Sequence, residues 1–437
     1  MKKNKCSINN MTNYITWISA YVIAFCLIIS TGGAWVNDTH LTLKQDSLRW
    51  NILATLILIS IFLCFFNSSQ KKNFSFTLKK ELFLAGLCML TYLLQTQGDR
   101  DAYLNCFLLP IIWFSFFLIQ VEEINLIWNA FTNILTLYAP ISLFYFLFGT
   151  CINLIPESGR TAIIWGTWDT SSVRIFHHLY YEAQFIKTDG AHLVARNCGI
   201  FAEAPMYSFV LCIAVAAELF LSKKVHWWKI IILSITIATT FSTTGYLFLI
   251  IAFLLYLSEI IFSDKNITIP KKILKKSMIV VVLLIIGILL HKVTTISGAG
   301  SVNVRTDHLL ACIKAWRESP IIGVGFKNKD AVMYYQNYKQ GISIGLPYLF
   351  ATGGILISVL VIFPYFITIK EAFKKNFFDV FIFETLFLII YFFTAVTEDP
   401  IFTFFIAYIL VNHDIDKEQF IKTDKVRDFL KNKLAHV

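Results

Sequence analysis

The sequence predicts an all-α polytopic membrane protein with about twelve transmembrane helices. Of its 437 residues 57% are hydrophobic and only 15% are charged, and the mean hydropathy is +0.64. Most of the apolar residues also lie in blocks of about 17–24, long enough for a helix to cross a hydrocarbon layer of roughly 30 Å. Because backbone polar groups must be satisfied inside lipid, we expect these blocks to be helices.

The chain is interpreted as one membrane domain, residues 1–437, whose first span stays as an anchor because it is too long for a cleaved signal sequence. Two long polar excursions between the spans, at 149–200 and 292–345, are predicted to be outer loops with short amphipathic helices, and a basic tail follows at 412–437. The predicted spans are 14–36, 50–66, 81–97, 102–121, 126–148, 201–221, 228–243, 244–262, 277–291, 346–369, 377–396 and 399–411.

Lysine assigns the orientation, because cytoplasmic loops of membrane proteins are enriched in basic residues. Lysine clusters mark the inner loops at 71–80, 223–229 and 271–276, and both chain termini are then cytoplasmic. The formal net charge of +10 reflects this topology and attraction to anionic headgroups. The charge has no nucleic-acid pattern, so membrane lipids and not nucleic acids are the expected partners.

Arginine is distributed differently from lysine. Seven of the eight arginines, all except Arg427, fall in predicted outer segments. Those in the two long loops are Arg160, Arg174, Arg196, Arg305 and Arg317. A guanidinium is planar, always charged and able to donate two parallel hydrogen bonds. The pattern therefore indicates recognition of a phosphate or carboxylate at the outer membrane surface.

The end of the first loop places polar residues beside a predicted helix start. Arg196 is followed by Glu203 and Pro205, and proline is favoured in the first turn of a helix. Glu203 would then lie at the positive end of that helix. Two interpretations are open. Glu203 is either a capping charge paired with Arg196, or a group that orients or accepts a proton in a crevice lined by Arg196.

The second loop predicts an amphipathic helix at 304–319 that ends at Pro320. Arg305 and His308, three residues apart, share a face of this helix. Its apolar side consists of Leu309, Leu310, Ile313 and Trp316. Such a helix would lie at the membrane interface and hold Arg305 and His308 over the mouth of the bundle. The alternative is a solvated basic surface that touches lipid headgroups.

Polar residues inside the spans give weaker signals. Asparagines recur every four residues along the fifth span, at Asn125, Asn129 and Asn133. This stripe suits a polar path and hydrogen bonding between helices about equally well. Glu384 lies within the eleventh span and is a functional candidate on that ground.

Four short segments occur in order between about residues 190 and 360. They are Arg196 through Pro205, Phe241 through Tyr246, Arg305 with Pro320, Gly323 and Gly325, and Gly353 through Leu356. Together they resemble the O-antigen polymerase and O-antigen ligase superfamily of bacterial envelope polysaccharide enzymes, and the predicted fold resembles GT-C-type membrane glycosyltransferases. The first segment departs from the family in having Ala-Pro for Pro-Ser, and the second has threonine for the usual arginine. Residues 1–150 fit only as generic membrane helices.

The resemblance implies polymerisation of repeat units carried on undecaprenyl pyrophosphate, at the outer face of the bacterial cytoplasmic membrane. The product would be an O-antigen, a capsule or an exopolysaccharide, and the flippase and chain-length regulator of the same pathway would be partners. Ligases carry a His-Asn pair about a dozen residues before the last glycine motif. This chain has Gly341 through Gly345 there, without histidine. The polymerase branch is therefore favoured, and ligase-type transfer is an alternative.

The implied reaction assigns roles to the outer residues. Departing pyrophosphate develops negative charge, which guanidinium groups stabilise without a metal. The candidates for this role are Arg196 and Arg305, followed by Arg174, Arg160 and Arg317. The candidate catalytic bases are Glu203 and His308, with His177, His178 and His192 as alternatives.

No metal or other cofactor is expected. The nine cysteines lack the spacing of metal ligands, and Cys151 and Cys198, which flank the first loop, are expected to be unpaired. Asp99-Arg100-Asp101 has the Asp-x-Asp form that some membrane glycosyltransferases use for a divalent cation, but a charged turn is the favoured interpretation.

A different glycosyltransferase, with a lipid-phosphate sugar as donor, is also open and would require Asp99 and Asp101. A polysaccharide flippase or another transporter is a further alternative. A flippase would have short outer loops and two related halves, and the sequence has no internal repeat. A transporter would interrupt paired helices with glycine or proline. The glycines here are instead expected at loop edges.

Overall fold

A computed structural model describes residues 2–38, 86, 89–94, 98–120, 124–165, 168–187, 193–263, 296–339, 341–375 and 378–412. Within these ranges the chain is mostly helical. The predicted spans at 50–66 and 277–291, most of the span at 81–97, His192, and the tail after residue 412 lie outside the described residues.

Helices lie before residue 152 and after residue 203 of the described chain. They are α1 (Lys2–Ser30), α2 (Ala34–Asn37), α3 (Arg100–Tyr103), α4 (Leu109–Gln120), α5 (Leu126–Phe144), α6 (Ala204–Phe220), α7 (Trp227–Thr239), α8 (Thr243–Ser263), α9 (Ile296–Glu318), α10 (Lys329–Met333), α11 (Leu346–Lys375), α12 (Phe378–Phe392) and α13 (Pro400–Asn412). Turns of π-helix at Leu104–Leu108 and Tyr145–Cys151 continue α3 and α5.

Among the described residues, two helical stretches are long and apolar enough to cross a membrane. Leu126–Cys151 has 26 residues and Leu346–Lys370 has 25. Shorter apolar stretches are Thr16–Ser30, Ala204–Phe220, Trp227–Thr239, Thr243–Glu259 and Pro400–Val411. The helical class is therefore confirmed, with two helices of membrane-spanning length.

Aromatic packing and polar contacts between helices hold the bundle together. The fully buried Trp128 of α5 packs against Phe383 of α12 and Phe404 of α13, with ring centroids 5.2 and 4.9 Å away. The asparagine stripe also joins helices: Tyr408 donates to Asn125 at 2.8 Å, and Asn133 donates to the Tyr21 hydroxyl at 2.8 Å. Bonding between helices accounts for these two members of the stripe.

The first outer loop contains strands where short helices were expected. β1 (Gly159–Trp165), β2 (Trp168–Phe176) and β3 (Tyr180–Glu182) form one antiparallel sheet, and β4 (Phe185–Lys187) pairs with β5 (Leu193–Ala195). The expectation of helices was wrong because it overlooked alternation in the sequence. In β2, Val173 and Ile175 are buried, and Arg174 between them in the sequence is more exposed. This alternation with a period of two residues is typical of a strand.

A buried carboxylate fastens this sheet to the bundle. Asp38, which follows α2, is fully buried and accepts a hydrogen bond from Thr161 of β1 and another, at 3.4 Å, from Tyr181 of β3. The backbone continues the attachment, because Ala34 donates to the carbonyl of Ile200 at 2.7 Å. The sheet thus holds the segment that leads into α6.

The predicted helix of the second loop is present and begins earlier, at Ile296. Its Leu310 and Ile313 are 51% and 38% exposed, as expected of an apolar side that faces outwards. The opposite side packs against α11 and buries small and polar residues. These are Asp307, His308, Ala311, Cys312 and Ala315.

Glycine motifs that lie far apart in sequence meet in the structure. Gly354 has φ 61° and ψ −164° and interrupts α11, so it is an exception to the expected concentration of glycines at loop edges. The segment from Pro320 to Gly325 bonds to the interruption: Pro320 and Ile321 accept from the amides of Ile355 and Leu356 at 3.0 and 3.2 Å. A helix break buried in the protein is tolerated because its backbone groups are satisfied in this way.

Candidate functional site

Backbone register fixes the position of Arg196. Residues 193–195 pair antiparallel with 185–187, and the Arg196 amide continues that register by donating to the carbonyl of Gln184 at 3.0 Å. The next amide, of Asn197, donates to the carbonyl of Thr239 at the end of α7, also at 3.0 Å. Arg196 is therefore held between the outer loop and the C-terminus of α7.

The guanidinium of Arg196 is held by neutral oxygens. Its Nε donates to the carbonyl of Thr240 at 2.8 Å, Nη1 to Oε1 of Gln184 at 3.0 Å, and Nη2 to the carbonyl of Phe241 at 3.4 Å. The carbonyls lie at the negative end of α7, which favours a cation. The side chain is only 9% exposed. These contacts fix the orientation of the guanidinium without neutralising its charge.

Arg305 reaches the same turn from α9. Its Nη1 donates to Oγ1 of Thr244 at 3.2 Å, and its guanidinium lies 5.9 Å from the ring centroid of Phe393. Burial, and then the charge of Arg196, lower the pKa of Arg305, so the two cations lie within electrostatic reach of each other. Residues 240–244, which we term the α7–α8 turn, thus bring together the two arginines ranked first from the sequence.

The two guanidiniums are buried, and the carboxylate charge of Glu203 acts on Arg196 without a direct ion pair. Neither forms an ion pair with a described carboxylate, and burial lowers the pKa of each guanidinium. Buried charges are costly unless they are paired. A guanidinium has five N–H donors, of which Arg196 uses three and Arg305 one in the contacts above. The arrangement is suited to an anion with several oxygens.

Glu203 lies at the start of α6, beside this pair. It occupies the N-cap position at the positive end of that helix, and its side chain makes no capping hydrogen bond. Its charge raises the pKa of Arg196, against the larger effect of burial. Gln184 connects the two positions, because its Oε1 also accepts from the amide of Ala204 at 3.2 Å.

His308 lies one helical turn after Arg305 and is 1% exposed. Its Nδ1 contacts Ser343, with the hydroxyl at 2.8 Å and the amide donating at 3.2 Å. Its Nε2 has no hydrogen-bond partner in the described chain. Burial lowers the pKa of His308; Asp307 opposes this shift and Arg305 adds to it. Burial thus favours the neutral form of the imidazole.

The remaining predicted arginines are placed elsewhere. Arg160 and Arg174 each donate to Glu157, at 2.8 and 2.9 Å, and Arg174 also pairs with Glu182 at 3.3 Å. The hydrogen bond from Arg160 is the main cause that lowers the pKa of Glu157. Both arginines thus serve the ion pairs of the outer sheet. Arg317 is exposed near the end of α9, about 18 Å along the helix from Arg305.

The histidines named as alternative bases and the Asp-x-Asp segment make contacts within the folded chain. His177 and His178 form the β2–β3 turn, where Nδ1 of His178 lies 2.9 Å from the Tyr181 hydroxyl. Asp99 caps α3 by accepting from the amide of Ala102 at 2.8 Å, which favours the charged-turn interpretation of the Asp-x-Asp segment. Among the described residues no cluster suited to a metal ion occurs.

The structure also describes the two cysteines that flank the first loop and the glutamate of the eleventh predicted span. Cys151 is exposed and Cys198 is buried, and both are free thiols, as expected. Burial raises the pKa of Cys198 to about 12, so it is a protonated thiol. Glu384 is fully buried inside the bundle, away from solvent.

Several residues of the site were not predicted. Gln184 and Ser343 gave no signal, because their partners lie 12 and 35 residues away and meet them only in the folded chain. The α7–α8 turn overlaps one of the motifs named from the sequence. Its backbone carbonyl groups, and not its side chains, accept the hydrogen bonds from Arg196. Phe241 in this turn has a φ of 49°, a strained conformation that concentrates at functional sites.

Comparisons with known proteins give no match: no family model, no curated protein and no solved structure is similar to this chain.

Proposed function

We propose that the protein polymerises lipid-diphosphate-linked oligosaccharide units at the outer face of the bacterial cytoplasmic membrane. The single observation that carries this proposal is the pair of buried guanidiniums, Arg196 and Arg305, which form no direct ion pair with a described carboxylate and meet at one turn. A diphosphate would supply both the charge and the oxygens that this pair lacks. The resemblance of the surrounding motifs to O-antigen polymerases supports the choice of substrate.

The proposed chemistry gives each of these groups a role. The hydroxyl oxygen of one lipid-linked unit forms a bond to the anomeric carbon of the chain on another. The bond from that carbon to the diphosphate oxygen breaks, and its electron pair leaves with undecaprenyl diphosphate. Arg196 and Arg305 stabilise the departing negative charge. Glu203, whose charge acts on Arg196, accepts the proton of the attacking hydroxyl.

The proposed topology has about twelve spans and two cytoplasmic termini, which places the two arginines on the outer side. The lysine distribution and the two helices of membrane-spanning length support it. The exposed Leu310 and Ile313 of α9 are suited to contact with lipid. The flippase and chain-length regulator of the pathway are the proposed partners.

Polymer length on the lipid carrier tests the proposal in a deletion strain that expresses each variant. We expect Arg196→Ala and Arg305→Ala each to abolish polymer and to leave single repeat units attached, with normal protein levels. Arg160→Ala is the matched control and should keep normal polymer, because Arg160 pairs with Glu157 on the outer sheet. Normal polymer in both site variants would overturn the assignment.

The same assay separates the alternatives. Loss of a flippase leaves no exported unit, and loss of a ligase leaves long polymer on the lipid carrier. Lysine at position 196 or 305 should rescue poorly if two parallel hydrogen bonds matter. Full rescue would indicate that charge alone is required.

A transporter is a second candidate because Gly354 interrupts α11 within a stretch of membrane-spanning length. Transporters direct the N-terminal amides of such half-helices at their substrates. Here the amides of Ile355 and Leu356 instead bond to carbonyls of the segment from Pro320 to Gly325. This occupation of the half-helix end favours the polymerase.

A further inference from the structure

His308 was predicted from the sequence to be a catalytic base, and its hydrogen bonds indicate a different role. The amide hydrogen of Ser343 has a fixed position and points at Nδ1, with the nitrogens 3.2 Å apart. A proton on Nδ1 would face that hydrogen directly. Nδ1 therefore carries a lone pair, and in the neutral ring the proton is on Nε2.

The Nε2–H group is buried and unpartnered within the described chain. A buried donor without an acceptor is destabilising, and such groups are rare in native proteins. His308 also shares a face of α9 with Arg305, whose charge acts on the imidazole. The unsatisfied donor thus lies beside Arg305, which forms no ion pair within the described chain.

We propose that His308 is a binding residue that donates an Nε2–H hydrogen bond to an oxygen of the diphosphate held by Arg305. This inference rests on the proposed function and deepens it. Ser343 is then the positioning residue, since its amide selects the tautomer that donates. Of the two first-ranked candidate bases, only Glu203 then keeps that role.

Two substitutions separate donor from base. The amide nitrogen of glutamine reaches about the position of Nε2 and donates, but glutamine cannot accept a proton at physiological pH. We expect His308→Ala to weaken binding of undecaprenyl diphosphate by the purified full chain about tenfold or more. His308→Gln should rescue most of that loss and restore polymer in cells.

Other outcomes would overturn the inference. If both variants bind undecaprenyl diphosphate like the wild type but make no polymer, His308 is a base. If both bind and polymerise normally, His308 has no role, while the Arg196 and Arg305 variants still test the proposed function separately. Should His308→Ala fail to fold, the glutamine variant decides between donor and base.

A spectroscopic measurement checks the tautomer without any assay of function. In protein labelled with ¹⁵N-histidine, the His308 signals are identified by their loss in His308→Gln. We expect an unprotonated Nδ1 and a protonated Nε2 at neutral pH, and an Nε2 signal that shifts when undecaprenyl diphosphate is added. A protonated Nδ1, or an Nε2 signal that does not respond, would contradict the proposal.

Discussion

Arg196 and Arg305 differ from the other outer arginines in what holds them. Arg160 and Arg174 donate to carboxylates, so the sheet itself neutralises their charge. Arg196 is held only by carbonyl and amide oxygens, and Arg305 donates to a hydroxyl. Neutral acceptors orient a guanidinium and leave its charge available to a ligand. This difference, more than position alone, separates the proposed binding residues from structural ones.

Gln184 tests this argument because a glutamate of nearly the same shape can replace it. In Gln184→Glu, the carboxylate should still accept from Arg196 and from the amide of Ala204, and it would also cancel the charge of Arg196. We expect the variant to fold with unchanged or higher thermal stability, measured in detergent, and to make no polymer.

Gln184→Ala is the comparison for that experiment. The substitution removes the oxygen that accepts from the Arg196 guanidinium and from the amide of Ala204, both partly buried. We therefore expect a stability loss of about 1 kcal/mol and reduced polymer. If Gln184→Glu made normal polymer, the uncompensated charge of Arg196 would not be required.

The junction between the segment from Pro320 to Gly325 and the break in α11 joins two elements through backbone hydrogen bonds. Gly323 has φ +81°, and a Cβ on it would lie 2.6 Å from the amide nitrogen of Gly354. We expect Gly323→Ala to lower the free energy of unfolding by at least about 2 kcal/mol, because a side chain is both strained and crowded there. Thermal unfolding of the purified protein measures the loss.

Gly159→Ala is the matched control for that substitution. Gly159 begins β1, and a Cβ on it would meet no atom within 4 Å. Its unfolding midpoint should stay close to that of the wild type. An unchanged midpoint for Gly323→Ala as well would mean that the junction does not stabilise the fold.

Some elements were predictable from the sequence because their signals are local. The spacing of apolar residues predicted the α9 helix. The helix begins at Ile296, before the residues in which that spacing is clear. The strands of the first loop had a local signal in Val173 and Ile175 that was overlooked. The partners of Arg196 and His308 had none, since Gln184 and Ser343 reach them through tertiary folding.

Across the whole molecule, distant segments converge on the α7–α8 turn. The first outer loop supplies Arg196 and Gln184, α9 supplies Arg305, and the start of α6 supplies Glu203. In the proposed topology this convergence lies on the outer side of the membrane. A site assembled from both outer loops is consistent with a substrate that arrives on a lipid carrier.

Direct binding of undecaprenyl diphosphate to the full chain in lipid nanodiscs is the measurement that tests the central claim. We expect the wild type to bind, with inorganic pyrophosphate a better competitor than inorganic phosphate. The double variant Arg196→Ala/Arg305→Ala should bind at least about 100-fold more weakly, because two charged donors are lost. Arg160→Ala should bind like the wild type. Wild-type affinity in the double variant would contradict the account.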